Sequence, residues 1–182
     1  MAPGTHEKFD FRSLDEVLAK ARELGVDLPV STDLSPLKEP LTVGGKSVPN
    51  SMSVHPMEGC DGTGDGRPDD LTFRRYRRFA AGGAGLLWVE ATAVVHEGRA
   101  NPRQLWLHDA SVDDFARLAE ETRRAAHQGM GPDHDPLLIL QITHSGRYSK
   151  PEGAPKPIIA HHSEVLDPQH NLRADYPLIS DD

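Results

Sequence analysis

The order of apolar runs and amphipathic stretches predicts an α/β protein whose core strands run parallel. Three observations carry this. The stretch from Gly82 to Val94 and the segment Leu137 to Thr143 are nearly unbroken apolar runs, the pattern of strands covered on both faces. Helix-patterned segments stand between the predicted strands, giving the order β-α-β-α-β, which joins parallel neighbours through right-handed crossovers. Polar or glycine-rich loops follow the strands at their C-terminal ends, where parallel α/β proteins bind ligands.

Taken in order, residues after Ser13 read as a helix. Ser13 is placed to cap it, Glu16 follows three positions on, and Leu14, Val17, Leu18, Ala21 and Leu24 form an apolar stripe that stops at Gly25. Pro29, Pro36 and Pro40 punctuate an irregular stretch. Leu41 to Val43 and Lys46 to Val48 then flank Gly44-Gly45 as a hairpin, the kind of plug that sits under a barrel. Ser51 to His55 is the first predicted core strand, ended by Pro56, and Met57 to Pro68 is its glycine-rich loop. Asp69 and Asp70 favour a helix start, and Phe73, Tyr76 and Ala80 share one face of the helix. Arg74, Arg75, Arg77 and Arg78 fall on its other sides, where a solvated outer face is favoured over a phosphate site.

The Gly82 to Val94 strand follows, then a polar loop from Glu97 to Ala110. The next helix has Ser111 as its cap, Val112, Phe115, Leu118, Ala119, Thr122 and Ala126 as its stripe, and Gly129 at its close. Asp113 with Arg117 and Glu120 with Arg124 are spaced as i,i+4 pairs on its exposed side. Pro136 opens the third strand. From His144 to Ser180 no periodicity is evident, and a connection well beyond about 15 residues at the end of a strand is a candidate lid. Ser180-Asp181-Asp182 reads as the cap and acidic first turn of another helix.

Three strands and two helices fall short of the roughly 250 residues of a complete (βα)8 barrel. The fold expected is therefore the N-terminal part, about three βα units, of a TIM barrel: an N-terminal helical extension over 1–38, then a barrel portion over 39–182 with 144–180 as its lid-like loop. A small three-stranded domain would leave apolar strands with open edges in water.

The 182 residues carry 28 acidic against 20 basic side chains and a net charge of -8, which disfavours nucleic acid and leaves a small-molecule substrate as the expected partner. One cysteine excludes an internal disulfide framework and a multi-cysteine metal site. No secretory leader pattern opens the chain and no apolar run spans a bilayer, so a cytoplasmic protein without a membrane is expected.

Asp61-Gly-Thr63-Gly-Asp65-Gly66 matches the opening of a calcium loop, but its twelfth position is Thr72, where a bidentate glutamate is required. The glycines also miss the dinucleotide spacing. His161-His162 lacks the further ligands of a metal site, and no G-x-S-x-G elbow is present. One constellation remains. Pro56-Met57-Glu58, Glu90-Ala91 and Gln141 to His144 lie at the C-terminal ends of successive predicted strands and would line one mouth of a barrel. Backbone groups at Met57 and Ala91 and the amide of Gln141 suit the alternating donors and acceptors of a planar heterocycle. A backbone partner for Gln141 is the competing assignment.

At these residues the chain resembles the old yellow enzyme-like NADH:flavin oxidoreductases, FMN-binding TIM barrels that include enoate and dienoyl-CoA reductases. The matching segments are Pro49 to Met57, Tyr76 to Val94, Glu97-Gly-Arg99 and Leu140 to Arg147, spread over residues 40 to 150. The resemblance implies that Pro56 and Met57 pack against FMN and touch it through backbone, that Ala91 meets the pyrimidine edge, and that Gln141 hydrogen-bonds it. Glu58 stands where some relatives carry a cysteine or threonine on the flavin. Cys60 lies near where a substrate-facing side chain sits in relatives, with an inert loop thiol as the plainer reading. The family's substrate-binding histidine pair and phosphate loops come from later strands.

The expected function is FMN-dependent hydride transfer from NADH or NADPH to an activated alkene, from an incomplete barrel that is itself inactive. The alternative is a non-catalytic half-barrel that binds a complementary polypeptide, either the missing barrel half or a second copy. Glu90 is expected to be a structural acid.

Overall fold

The computed structural model describes residues 8–180. Of the helix start expected at Ser180-Asp181-Asp182, the two aspartates lie outside the described residues. The chain divides into two compact units, one ending at Leu34 and the other beginning at Ser35.

In the first unit, α1 spans Leu14–Glu23. Ser13 caps it by accepting from the Glu16 N–H at 3.3 Å, and Glu16 reaches back to the Arg12 N–H at 2.8 Å. None of its residues is fully buried, and Val17, Leu18 and Ala21 of the apolar stripe are half-buried.

The second unit opens with β1 (Leu41–Val43) and β2 (Lys46–Val48), an antiparallel hairpin. Gly44 and Gly45 both take positive φ, 56° and 79°, as its two-residue turn requires. The core follows as β3 (Ser53–Val54), α2 (Asp70–Ala81), β4 (Leu86–Ala93), α3 (Val112–Met130) and β5 (Leu137–Thr143). The strands pair in parallel in the order β3-β4-β5. Both crossovers are helical, as the alternation of patterns predicts. Beyond β5 the chain is irregular apart from α4 (Leu166–Gln169) and a single 3-10 turn.

Both long helices cover one face of β4. Leu87 packs with Ala80, Ala84 and Ala126, while Val89 packs against Phe73, Tyr76 and Leu118. Complete burial of a leucine such as Leu87 contributes about 2 kcal/mol. By strand alternation Leu86, Trp88, Leu137, Ile139 and Gln141 point the other way. That second face is only partly covered: Leu86, Leu137 and Ile139 are half-buried and Trp88 keeps 41% of its surface. The expectation of strands buried on both faces is thus corrected, because among the described residues the three-stranded sheet does not close and its inner side stays partly exposed.

Several local expectations also shift. The first core strand shrinks from 51–55 to two residues because Asn50 takes over the work of pairing. Its Nδ2 donates to the Gly83 carbonyl at 2.7 Å and its Oδ1 accepts from the N–H groups of Gly85 and Met52. Gly82 to Gly85 belong to the end of α2 and a turn, so β4 starts at Leu86. The Ser111 side chain does not cap α3; its hydroxyl instead shares its one proton between the carbonyls of His108 at 2.9 Å and Trp106 at 3.1 Å. α3 continues past Gly129 to Met130. Glu120 pairs with Arg124 at 2.6 Å as spaced, but Arg117 turns to Asp114 and lies over the Phe73 ring.

Candidate functional site

The register between β4 and β5 holds from Leu86 to Val89, then resumes with Thr92 opposite Ile142. Glu90 and Ala91 therefore face the single residue Gln141, which is a β-bulge. The extra residue lets consecutive side chains serve the same helix: Val89 packs on Tyr76, and Glu90 bonds to it. It also sets Ala91 beside Gln141 at the C-terminal end of the sheet.

Glu90 is 1% exposed and is the hub of the site. Oε1 accepts from Arg75 Nη2 at 2.6 Å, Oε2 accepts from the Gly59 N–H at 2.7 Å, and its own N–H donates to the Tyr76 hydroxyl at 2.8 Å. Arg75 Nη2 also reaches Asp61 Oδ1 at 2.8 Å. Burial works against the Arg75 cation, but its bonds to Glu90 and Asp61 outweigh that and hold its pKa above the ordinary value. Burial and the adjacent Glu90 charge both raise the Tyr76 phenol. A Cβ at Gly59 would run into the Arg75 guanidinium, so a side chain there would displace Arg75 from its carboxylates. Arg75 is thus no solvated arginine, contrary to the reading of the helix as four outer-face cations. Glu90 acts as the structural acid expected, tying the loop after β3 to α2.

The loop so held presents the residues singled out in the sequence. Pro56 is half-buried and Met57 is 75% exposed. The Met57 N–H turns back to the His55 carbonyl at 2.8 Å, and its own carbonyl has only a long contact, 3.4 Å, from Arg75 Nη1. The Ala91 carbonyl accepts from Gln104 Nε2 at 3.0 Å. Each carbonyl retains a second lone pair. Gln141 is half-buried, and among the described residues its amide has no hydrogen-bond partner. The backbone partner that was the alternative for Gln141 is not found among the described residues.

Glu58 and Cys60 lie on the exposed side of the same loop. Asn101 Nδ2 donates to Glu58 Oε2 at 3.4 Å and contacts Cys60 Sγ at 3.3 Å, while Gln104 Nε2 reaches Glu58 Oε1 at 3.4 Å. Partial burial and the charge of Glu90 push the Glu58 pKa up. The Cys60 thiol is pushed up by burial and by Glu58 and Glu90, which leaves it protonated and weakly nucleophilic at neutral pH. Its backbone φ is 49°, a strained value for a non-glycine residue.

A pH effect follows from Glu58. Because its folded-state pKa is raised, folding favours the protonated form, so its contribution is present at low pH and lost as pH rises through the folded value. Glu58→Gln should raise the urea midpoint at pH 7, and the gap from the wild type should close as pH falls below 4. A variant less stable than the wild type at pH 7 contradicts this.

The loop from Glu97 to Ala110 is more than a polar connection. Arg99 is 1% exposed and donates to the carbonyls of Gly64 at 2.9 Å, Gln104 at 2.9 Å, and Pro102. Burial lowers its pKa. Charge and periodicity do not distinguish this buried arginine from its exposed neighbours; the match of Glu97-Gly-Arg99 to the resembled family is the signal that marks it. The carboxylates of the calcium-like segment are also engaged: Asp61 with Arg75 and Thr72, Asp65 with Arg67 and Thr63. His162 Nδ1 lies 2.7 Å from Asp167 Oδ2. Among the described residues no group of three metal-ligating side chains converges, and no helix is long and apolar enough to cross a membrane.

No family model matches the chain. Its sequence is 32% identical over 120 residues to an NADPH dehydrogenase of Geobacillus sp. (strain WCH70), covering 64% of this chain and 32% of that protein. The chain spans about a third of the length of the curated relatives it matches. Among solved structures, the old yellow enzyme homologue from Zymomonas mobilis superposes with a TM-score of 0.56 at 24% identity, over 70% of this chain and 33% of that one. Morphinone reductase gives 0.52 at 25% identity, over 68% and 31%. In sequence the chain is similar to part of these NADPH dehydrogenases, and its parallel α/β fold is similar to part of the TIM barrel of old yellow enzyme homologues.

Proposed function

We propose that this chain supplies one wall of an FMN site in an oxidoreductase that moves hydride from NADH or NADPH to an activated alkene. The unpartnered Gln141 amide beside the β4 bulge supports this reading most strongly. Its donors and acceptor suit the pyrimidine edge of the heterocycle, and the second lone pairs of the Ala91 and Met57 carbonyls suit ring N–H groups. Pro56 and exposed Met57 offer an apolar surface for a ring face. When bound, FMN supplies the hydride chemistry itself. Glu58 places an acid next to that surface, and its burial-raised pKa makes it a local source of pH dependence. The NADPH dehydrogenase names of the relatives favour NADPH as donor.

These contacts all address the heterocycle. FMN and riboflavin should therefore bind the chain with similar, weak affinity in a fluorescence titration, and Gln141→Leu should weaken both by about tenfold. Absence of saturable quenching by either flavin overturns the reading.

A second reading rests on the open β5 side. A groove of about 430 Å³ runs between α3 and β5, lined by Val89, Phe115, Leu138 and Leu140, and Ile142 is 63% exposed. In this reading a complementary polypeptide, the rest of a barrel or a second copy, covers that face. A stable monomer by size exclusion at high concentration counts against it.

A further inference from the structure

The turn after β5 holds an imidazole in a defined pose. His144 lies three residues past Gln141, and its Nδ1 accepts from the Gly146 N–H at 3.0 Å. An amide N–H can only donate, so Nδ1 carries the lone pair and the neutral ring has its proton on Nε2. Gly98 fixes the ring from another side: a Cβ there would lie 2.8 Å from His144 Cδ2 and 3.1 Å from Cγ. The Gly146 N–H thus sets the tautomer, and Gly98 allows the close approach, of an exposed side chain whose Nε2 has no partner among the described residues.

His144 borders a cavity of about 310 Å³, together with Ile158, Ile159, His161 and Ile179. The walls are tied to one another. The Ile158 N–H donates to the Gly146 carbonyl at 3.0 Å, and the Ile179 N–H donates to the Ile159 carbonyl at 2.9 Å. Arg147 also lines the cavity, but its guanidinium pairs with Asp167 and donates to the His161 carbonyl at 2.9 Å. The positive charge is therefore matched locally. The cavity is an open one: Ile158 is half-buried, whereas His144, His161 and Ile179 are exposed at its rim, so an apolar wall and an imidazole border the same space.

We propose that this cavity is a binding site for a small apolar molecule carrying a carbonyl-type oxygen, oriented by the Nε2–H of His144. The site stands on different residues from the flavin wall and does not depend on it. A bare hydrocarbon ring fills the same walls but leaves the donor unpaired, so the oxygen sets both orientation and selectivity.

Fluorine NMR of para-fluoroacetophenone added to the whole chain tests this, with fluorobenzene as the ligand lacking oxygen and para-fluorobenzoate as the charged acceptor. The ketone should show saturable line broadening, with fluorobenzene binding about tenfold more weakly. His144→Phe should reduce ketone affinity to the fluorobenzene level, while His144→Gln, which keeps an N–H donor, should stay within about threefold of the wild type. Gly98→Ala should weaken the ketone without altering a ligand-facing side chain, which keeps the test decisive if His144→Phe does not fold. Equal affinities for ketone and fluorobenzene, an unchanged His144→Phe, or no saturable broadening would each overturn the proposal. Tighter binding of the benzoate than the ketone would overturn the assignment of a neutral donor site.

Discussion

Glu90→Ala should destabilise the chain by about 3–5 kcal/mol, the range for removing one partner of a buried ion pair. The loss has three parts. Arg75 is left a largely buried cation, with Asp61 as its remaining carboxylate. The Gly59 N–H loses its acceptor, and the Tyr76 hydroxyl loses a neighbour at 3.4 Å. Glu90→Gln preserves the volume and one acceptor oxygen and should cost less. Tyr76→Phe removes only the hydroxyl that accepts from the Glu90 N–H and should cost about 1 kcal/mol. Urea unfolding with unchanged slope measures all three. A loss under about 1 kcal/mol for Glu90→Ala would mean that the network does not hold the loop.

Arg99→Met should cost about 2–4 kcal/mol, because it leaves the carbonyls of Gly64, Pro102 and Gln104, the last of them in a buried residue, without the donor they share. Methionine fills much of the volume but donates nothing. Arg99→Lys retains the charge but lacks the planar fork that reaches three carbonyls at once, so it should fall between methionine and the wild type. The effect should extend to the chain after β5, since the Arg99 carbonyl accepts from the Lys150 N–H at 2.8 Å. Faster proteolytic cleavage within 150–165 in Arg99→Met would show this, and cleavage at the wild-type rate would contradict it.

The parts of the fold legible in the sequence are those governed by short-range periodicity. α3 and β5 are the clearest: a 19-residue amphipathic helix and a seven-residue apolar strand appear where the patterns place them. The helix start at Asp69 was legible for a similar reason, since its acceptor and Thr72 lie within one turn. Features that depend on a distant partner were not. The bulge at Glu90-Ala91 exists only relative to β5. Arg75 differs from Arg74 because Asp61 and Glu90 converge on it from 14 and 15 residues away. Asn50 and Arg99 are polar residues whose burial follows from carbonyls and amides that only the folded chain assembles. The same distinction runs through the candidate site. Its residues were legible as strand ends, whereas the partners already engaged by Met57 and Ala91, and the freedom of Gln141, became visible only with the geometry.

The central claim is that the C-terminal ends of β3, β4 and β5 form a wall for a flavin ring. The most direct test is a nitrogen-15 NMR titration of the labelled chain with riboflavin. The account predicts that the Gln141 side-chain amide and the backbone amides of Met57, Ala91 and Gln141 shift together and saturably, while those of α1 and the β1–β2 hairpin stay in place. Saturable shifts confined to other residues, or none at all, would contradict it.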